Sequence, residues 1–329
     1  MKTKTLISLL TLACLLAVPA TAQVNYAVSG STAYVTRSPN ASGDIVIAST
    51  YNGFPVTSIG NAAFYNCTNL TSVTIPNSVT SIGSTAFRYC TSLTSVTIPS
   101  SVTSIGFGAF QYCGSLTTMT IPNSVTSIGD QVFYSCTSLT SVTIPNSVTS
   151  IGIWAFISCT SLTSVTIGNS VTSIGYQAFR DCTSLTSVTI PNSVTNIGGR
   201  AFEYCTSLTS LTFLGNAPTE GFSMFANVGP GATVYYYYGT TGWGATYGGL
   251  PTVMLYPPPQ VSTGSAGVQP GGFGFTITGV VNQTIVVEGS TNLTNWQSIW
   301  TNTLSAVSTN FVDPQWLDHP RRFYRLRSN

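Results

Sequence analysis

Along most of the chain, apolar and polar residues follow one phrase that returns every 23 residues. In the copy "LTSVTI", Leu93 to Ile98, the residues Leu93, Val96 and Ile98 are apolar while Ser95 and Thr97 are polar. Side chains alternate faces along a strand, so this run predicts a strand with Val96 and Ile98 inward and Ser95 and Thr97 outward. Pro99 ends it, because proline cannot donate to a ladder. "SVTSIG" supplies a second short extended run, closed by Gly106. "GAFQYC" follows, and its spacing predicts a single helical turn with Ala109, Phe110 and Cys113 on one side.

The phrase recurs with little change. Cys67, Cys90, Cys113, Cys136, Cys159, Cys182 and Cys205 succeed one another at 23-residue steps. Phe stands three residues before each, from Phe64 to Phe202, and Leu three residues after, from Leu70 to Leu208. A fixed period in the twenties means a solenoid, and "LTSVTI" matches the L-x-x-L-x-L core of a leucine-rich repeat. One unit cannot fold alone, because its few apolar side chains do not offset the entropy of ordering the segment. Stacked neighbours supply the rest through continuous apolar columns and strand-to-strand hydrogen bonds.

The order "IPNSVTSIGxxAFxxCTSLTSVTI" resembles the BspA-type leucine-rich repeats of bacterial surface proteins, over about residues 45 to 213. "SGDIVIASTYNGFPVTSIG" looks like that family's irregular first turn, and the segment from "FLGNAP" to "TVML" looks like the terminal cap of such arrays. The resemblance implies adhesion and binding of proteins at cell surfaces. It implies no enzymatic activity by virtue of the repeat, and it carries over no fixed set of binding residues.

A Pro-rich break, "YPPPQVSTGSAGVQPGG", leads into "FGFTITGVVNQTIVVEGSTNLTNWQSIWTNTL", where apolar and polar residues alternate between turn clusters. That is an antiparallel β pattern. The ending "FVDPQWLDHPRRFYRLRSN" is similar to C-terminal modules of secreted proteins from verrucomicrobial and planctomycete-like bacteria. The expected fold is mainly β: a leucine-rich repeat solenoid of parallel strands and short helical turns, followed by a small antiparallel β-sandwich. Its expected parts are a signal peptide (1–22), an N-terminal cap with an irregular first repeat (23–59), the repeats (60–213), a C-terminal cap (214–256), a Pro/Gly-rich linker (257–272) and the β-sandwich-like module (273–329).

Composition narrows the function. The only lysines, Lys2 and Lys4, precede an apolar run from Leu6 to Val18 and the small residues Ala20-Thr21-Ala22. This reads as a secretory signal peptide cleaved before Gln23, with an apolar run too short to span a bilayer. The expected location is extracellular or the bacterial cell surface, with no membrane span in the mature chain. Beyond the leader, eight Arg balance eight acids. No basic face suits nucleic acid, and Arg321, Arg322, Arg325 and Arg327 cluster only in a strand-like C-terminal run.

Catalytic chemistry is thin, and the chain is expected not to be an enzyme. The single histidine, His319, sits in "VDPQWLDHPRR" with Asp313 and Asp318, which reads as a turn with solvated polar groups. Asp181 and Glu203 fall on adjacent coils beside Arg180 and Arg200. A glycosidase pair is conceivable there, but an exposed charge cluster is the better reading. No phosphate loop or metal spacing occurs, so neither cofactor nor metal is expected. The cysteine column reads as packed free thiols, against occasional disulfides or a metal, because parallel Cβ vectors do not converge.

Two places remain for function. Outward strand positions form hydroxyl ladders: Ser72, Ser95, Thr118, Ser141, Ser164 and Ser187 in one, Thr74, Thr97, Thr120, Thr143, Thr166 and Thr189 in the other. They suit ice or surface binding, or are simply an uncharged soluble face. Variation concentrates instead around each "AF", at Arg88, Tyr89, Phe107, Gln111, Tyr112, Tyr134, Ile153, Trp154, Tyr176, Arg180, Arg200 and Tyr204. Tyr, Trp and Arg are the residues enriched at binding hot spots. Either these side chains bind a partner, or they pack on their neighbours between coils. The partner expected is an extracellular or cell-surface protein, which needs both rings and Arg, or a polysaccharide, whose sugars stack on rings.

Overall fold

A computed structural model describes residues 24–319 and 321–328. The leader and its cleavage site lie outside the described residues. The chain winds into a β-solenoid whose coils each contribute two short strands to two parallel stacks. The first stack runs through Gly43–Val46, Leu70–Thr74 and Ser95–Thr97, then Thr118–Thr120, Ser141–Thr143 and Ser164–Thr166, then Ser187–Ile190, Ser210–Phe213, Thr233–Tyr237 and Leu250–Leu255. The second holds two-residue strands such as Ser81–Ile82, Ser150–Ile151 and Asn196–Ile197. Register advances by one repeat per coil: Thr118 faces Ser141, which faces Ser164. Identical residues therefore stack in columns.

The core is built from those columns. Phe64, Phe87, Phe110, Phe133, Phe156, Phe179 and Phe202 are fully buried. Their rings stack at 5.1 to 5.7 Å from coil to coil. Offset ring stacking adds to plain area burial. Leu, Val, Ile, Ala and Cys columns fill the space between the two strand stacks in one continuous cluster.

The segment expected to form a helical turn does not. Between Gly83 and Cys90, alternate N–H groups close local turns, Ala86 to Gly83, Arg88 to Thr85 and Cys90 to Phe87. The intervening donors reach the next coil: Thr85 to Phe107 at 2.8 Å, Phe87 to Ala109 at 2.8 Å and Tyr89 to Gln111 at 2.9 Å. A helix would direct every donor four residues back. The result is a ribbon of β-turns that ladders onto its neighbour like a third sheet. Ala109, Phe110 and Cys113 still point inward and are fully buried.

Both ends of the core are closed. Tyr26–Ser29 and Thr32–Val35 form an antiparallel pair at the N-terminal end. At the other end Trp243 and Tyr247 pack edge-on against Phe213, at 5.0 and 5.3 Å. The aromatic run Tyr235 to Tyr238 and Trp243 therefore belongs mainly to a lid over the last coil.

The C-terminal module packs two antiparallel sheets. One joins Gly272–Thr278 to Ser308–Asp313 and to the short strands Gln260–Val261 and Gly267–Gln269. The other sets Thr284–Ser290 between Gln297–Thr303 and Phe323–Ser328. The Pro/Gly-rich stretch read as a linker thus contributes two strands. Phe275, Ile277, Ile285, Val287, Leu304 and Phe311 form a separate small core.

Candidate functional site

The turn ribbon explains why variation concentrates where it does. Each ribbon has two residues with left-handed backbone. One column runs Thr85, Gly108, Gln131, Trp154, Gln177 and Arg200, with φ from 52° to 58°. The other runs Tyr89, Tyr112, Ser135, Ser158, Asp181 and Tyr204, with φ from 55° to 63°. Such a backbone costs an L-residue about 1–2 kcal/mol. Many of these residues donate their N–H to the next coil, which offsets that cost and fixes the conformation. The inward slots hold Ala, Phe and Cys, so the columns flanking them point outward and are free to vary.

These side chains form a ridge rather than separate protrusions. Tyr89 and Tyr112 stack at 4.7 Å and 6° from parallel. Tyr65 meets Tyr89 edge-on at 5.7 Å, and Tyr134 is tilted against Tyr112 at 5.1 Å. The Arg88 guanidinium lies 4.8 Å from the centre of the Tyr89 ring and donates to its phenol at 3.2 Å. Among the ten residues with binding potential, Phe107 (45%) and Tyr204 (39%) are the most exposed; Arg88, Tyr89, Tyr112, Tyr134, Trp154, Tyr176, Arg180 and Arg200 are half-buried against one another. The rings from Tyr65 to Tyr134 therefore pack sideways on one another between coils, while Phe107 and Tyr204 stay exposed. Gln111 belongs to the interior, bonded to Gln131.

Along the ridge the character changes. Trp154 donates its indole N–H to Gln177 at 2.6 Å, beside exposed Ile153. Further on, Glu203 is buried beneath Arg180, at 3.1 Å, and Arg200, at 3.9 Å, while Asp181 lies 3.4 Å from Arg180. The charge cluster is thus partly interior, with Glu203 neutralised by its two cations. Arg180 also covers Tyr204, and Arg200 covers Phe222, each at 5.3 Å.

Three ridge residues were missed in the sequence. Tyr65 sits between Phe64 and Cys67 in the first full copy of the phrase, and Arg37, 5.8 Å from its ring, in the irregular part before it. Phe222, 60% exposed, lies in the cap but in the column of Phe107 and Tyr176. Its ring lies where a Cβ on Gly199 would come within 2.5 Å. The signal was there in the frame Gly221–Phe225, which repeats the Gly-to-Phe spacing of the coils.

The cysteines are unpaired and buried. Each thiol donates to a main-chain carbonyl of the preceding coil, as Cys113 does to Phe87 at 3.1 Å and Cys159 to Phe133 at 3.2 Å. Burial pushes the thiols of Cys67, Cys90, Cys113, Cys136, Cys159 and Cys182 up, that of Cys159 to about 12. These are inert packing groups that also satisfy an acceptor.

The hydroxyl ladders are in register and mostly exposed on the flat strand face. In the C-terminal module the arginine cluster is largely committed. Arg325 and Arg327 share Glu288 at 2.6 and 3.0 Å, and Arg322 pairs with Asp313 at 3.0 Å. Asp313 also accepts from the Tyr324 phenol. It is buried, so it braces the sandwich and is not the solvated turn group expected beside His319.

Comparison with known proteins places this architecture. The sequence profile of the BspA type leucine rich repeat region matches residues 57–162 and 126–236, in six copies, which is more than half of the chain. A leucine rich cell surface protein from Faecalibacterium prausnitzii is similar in structure, at 40% identity and a TM-score of 0.52, over 58% of this chain and 55% of that one. This chain therefore spans little more than half the length of that relative. A leucine rich repeat protein from T. pallidum matches at 30% identity over 67% of this chain and 85% of its own, with a TM-score of 0.45. Comparison with curated proteins found no match. Among the described residues no helix is long and apolar enough to cross a membrane. From its repeats, their columns and the profile that fits them, the chain belongs to the BspA-type leucine-rich repeat family.

Proposed function

We propose that the chain is a secreted, non-enzymatic binding or adhesion protein that presents its turn ridge to a protein or glycan at a cell surface. One observation carries the reading: Tyr89 and Tyr112, both at left-handed backbone positions, stack on each other and meet Tyr65 on one side and Tyr134 on the other in a single run of rings. Contiguous exposed aromatic surface on a soluble chain marks an interaction site. The repeats are the scaffold, and avidity over several coils is the mechanism. The cell-surface relative from Faecalibacterium supports the location. The C-terminal module takes the part of holding the chain at the surface. Loss of retention on deleting residues 257–329 tests that part.

The binding test is capture from cell-surface extract and from a polysaccharide panel by the full chain. A matched variant carries Tyr89, Tyr112, Tyr134, Trp154, Tyr176 and Tyr204 changed to Ser. Capture by the parent alone, with both folded, supports the ridge. Equal capture by both sinks it.

A second reading rests on the register of the hydroxyl ladders, in which Thr120, Thr143 and Thr166 face one another across adjacent strands. A structural or ice- and surface-binding role uses that face and ignores the rings. Inhibition of ice growth that Thr120→Val and Thr143→Val abolish supports this reading.

A further inference from the structure

The two halves of the ridge differ in charge balance. In the C-terminal half Arg180 and Arg200 share Glu203. In the N-terminal half, Arg37 and Arg88 lie over Tyr65 and Tyr89. Among the described residues no carboxylate stands within 4 Å of either cation, whereas Arg180, Arg200, Arg322, Arg325 and Arg327 all have one.

The rings decide what kind of partner fits. Tyr89 is flanked by Tyr112 and Tyr65 and lies under the Arg88 guanidinium. Tyr112 is likewise held between Tyr89 and Tyr134. These two rings are occupied by neighbours, so at this place the ridge offers phenols and guanidiniums more than ring faces for a sugar to stack on. Backbone pairing is also unavailable, because the N–H groups of Tyr89 and Tyr112 already donate to the next coil at 2.9 and 2.8 Å. An extended peptide finds no strand edge there. What remains is a short row of hydrogen-bond donors in which Arg37 and Arg88 carry the positive charge.

We infer that the N-terminal half of the ridge binds an acidic polysaccharide, whose carboxylate or sulfate groups accept from Arg37, Arg88 and the Tyr89 and Tyr112 phenols. Charge-assisted hydrogen bonds to guanidinium are the strong ones, and a polymer with an anion on successive units can meet both cations. This inference rests on the ridge being the binding face.

The test is retention of the full chain on polygalacturonate, heparin, dextran and poly-L-glutamate. Polygalacturonate separates carboxylate from the sulfate of heparin. The expected result is retention on at least one acidic glycan and none on dextran. Affinity should fall about tenfold or more in Arg37→Gln/Arg88→Gln and drop with added salt, as exposed charge pairs do. Arg88→Lys should keep part of the affinity, and Arg321→Gln all of it. Equal retention on dextran, retention on poly-L-glutamate alone, retention on none, or an unchanged double variant would each overturn the inference. If the double variant is unchanged but the six-residue Ser variant loses a captured partner, the anion assignment falls and the ridge reading stands. If both variants keep that partner, both readings fall.

Discussion

Tyr89 and Tyr112 occupy the same place on successive coils, both with left-handed backbone, and their rings stack at 4.7 Å. The strained backbone turns each ring outward, and the stack then holds it against its neighbour. Replacing Tyr112 by Ser removes two ring pairs, those with Tyr89 and Tyr134. The expected loss of stability is about 1–3 kcal/mol, read by urea denaturation, with the fold kept.

The turn ribbon and a helical turn predict opposite signs at Ser135 and Ser158, whose φ values are 55° and 58°. Glycine adopts that backbone without steric cost. Ser135→Gly and Ser158→Gly should therefore raise stability, by about 0.5–1 kcal/mol after the entropy of glycine is set against the relief. In a helical turn the same changes would lower it. Thermal melting of the two variants separates the cases.

Phe156 is fully buried between Phe133 and Phe179, at 5.1 and 5.2 Å. Phe156→Ala should cost about 3–5 kcal/mol, because the coils on either side cannot collapse into the gap without breaking their ladder. Thr143→Ala, on the exposed strand face, should change stability by less than about 0.5 kcal/mol. Denaturation curves for the pair check the column account of the core.

The cysteines give a chemical prediction. Burial raises the Cys159 thiol to about 12, and raises those of Cys90, Cys113, Cys136 and Cys182 as well. Iodoacetamide at pH 8 should leave all seven untouched in the native chain. In denaturant without reductant, all seven should react. Mass spectrometry counts the adducts, and a shortfall after unfolding would reveal disulfides.

Glu288 carries a pH dependence. Hydrogen bonds from Arg325 and Arg327 lower its carboxyl below the usual range, near 4.3 in an unfolded chain. Its contribution is therefore fully present above that unfolded value and is lost as pH falls through the lower folded one. Hydrogen exchange along Phe323–Ser328 should quicken over that acid range, and Glu288→Gln should flatten the dependence.

The solenoid was legible because Cys, Phe and Leu recur at one period, and a column needs the same residue at the same place on every coil. The turn ribbon was not. Ala109, Phe110 and Cys113 share one side in a helical turn and in a ribbon alike. Left-handed backbone usually announces itself by Gly or Asn, yet here it holds Trp154, Arg200 and Tyr204. Main-chain bonds to the next coil stabilise that conformation, and no local sequence records them. Arg37 and Phe222 escaped because the end coils depart from the repeated phrase while keeping its backbone path, whereas Tyr65 stood in the phrase itself, one period before Arg88.

Hydroxyl-radical footprinting of the full chain, with and without its captured partner, tests the binding face most directly. Protection confined to Tyr89, Tyr112, Tyr134 and Trp154 is the expected result. Protection instead at the strand-face threonines Thr97, Thr120 and Thr143, with the ridge tyrosines still fully reactive, would contradict it.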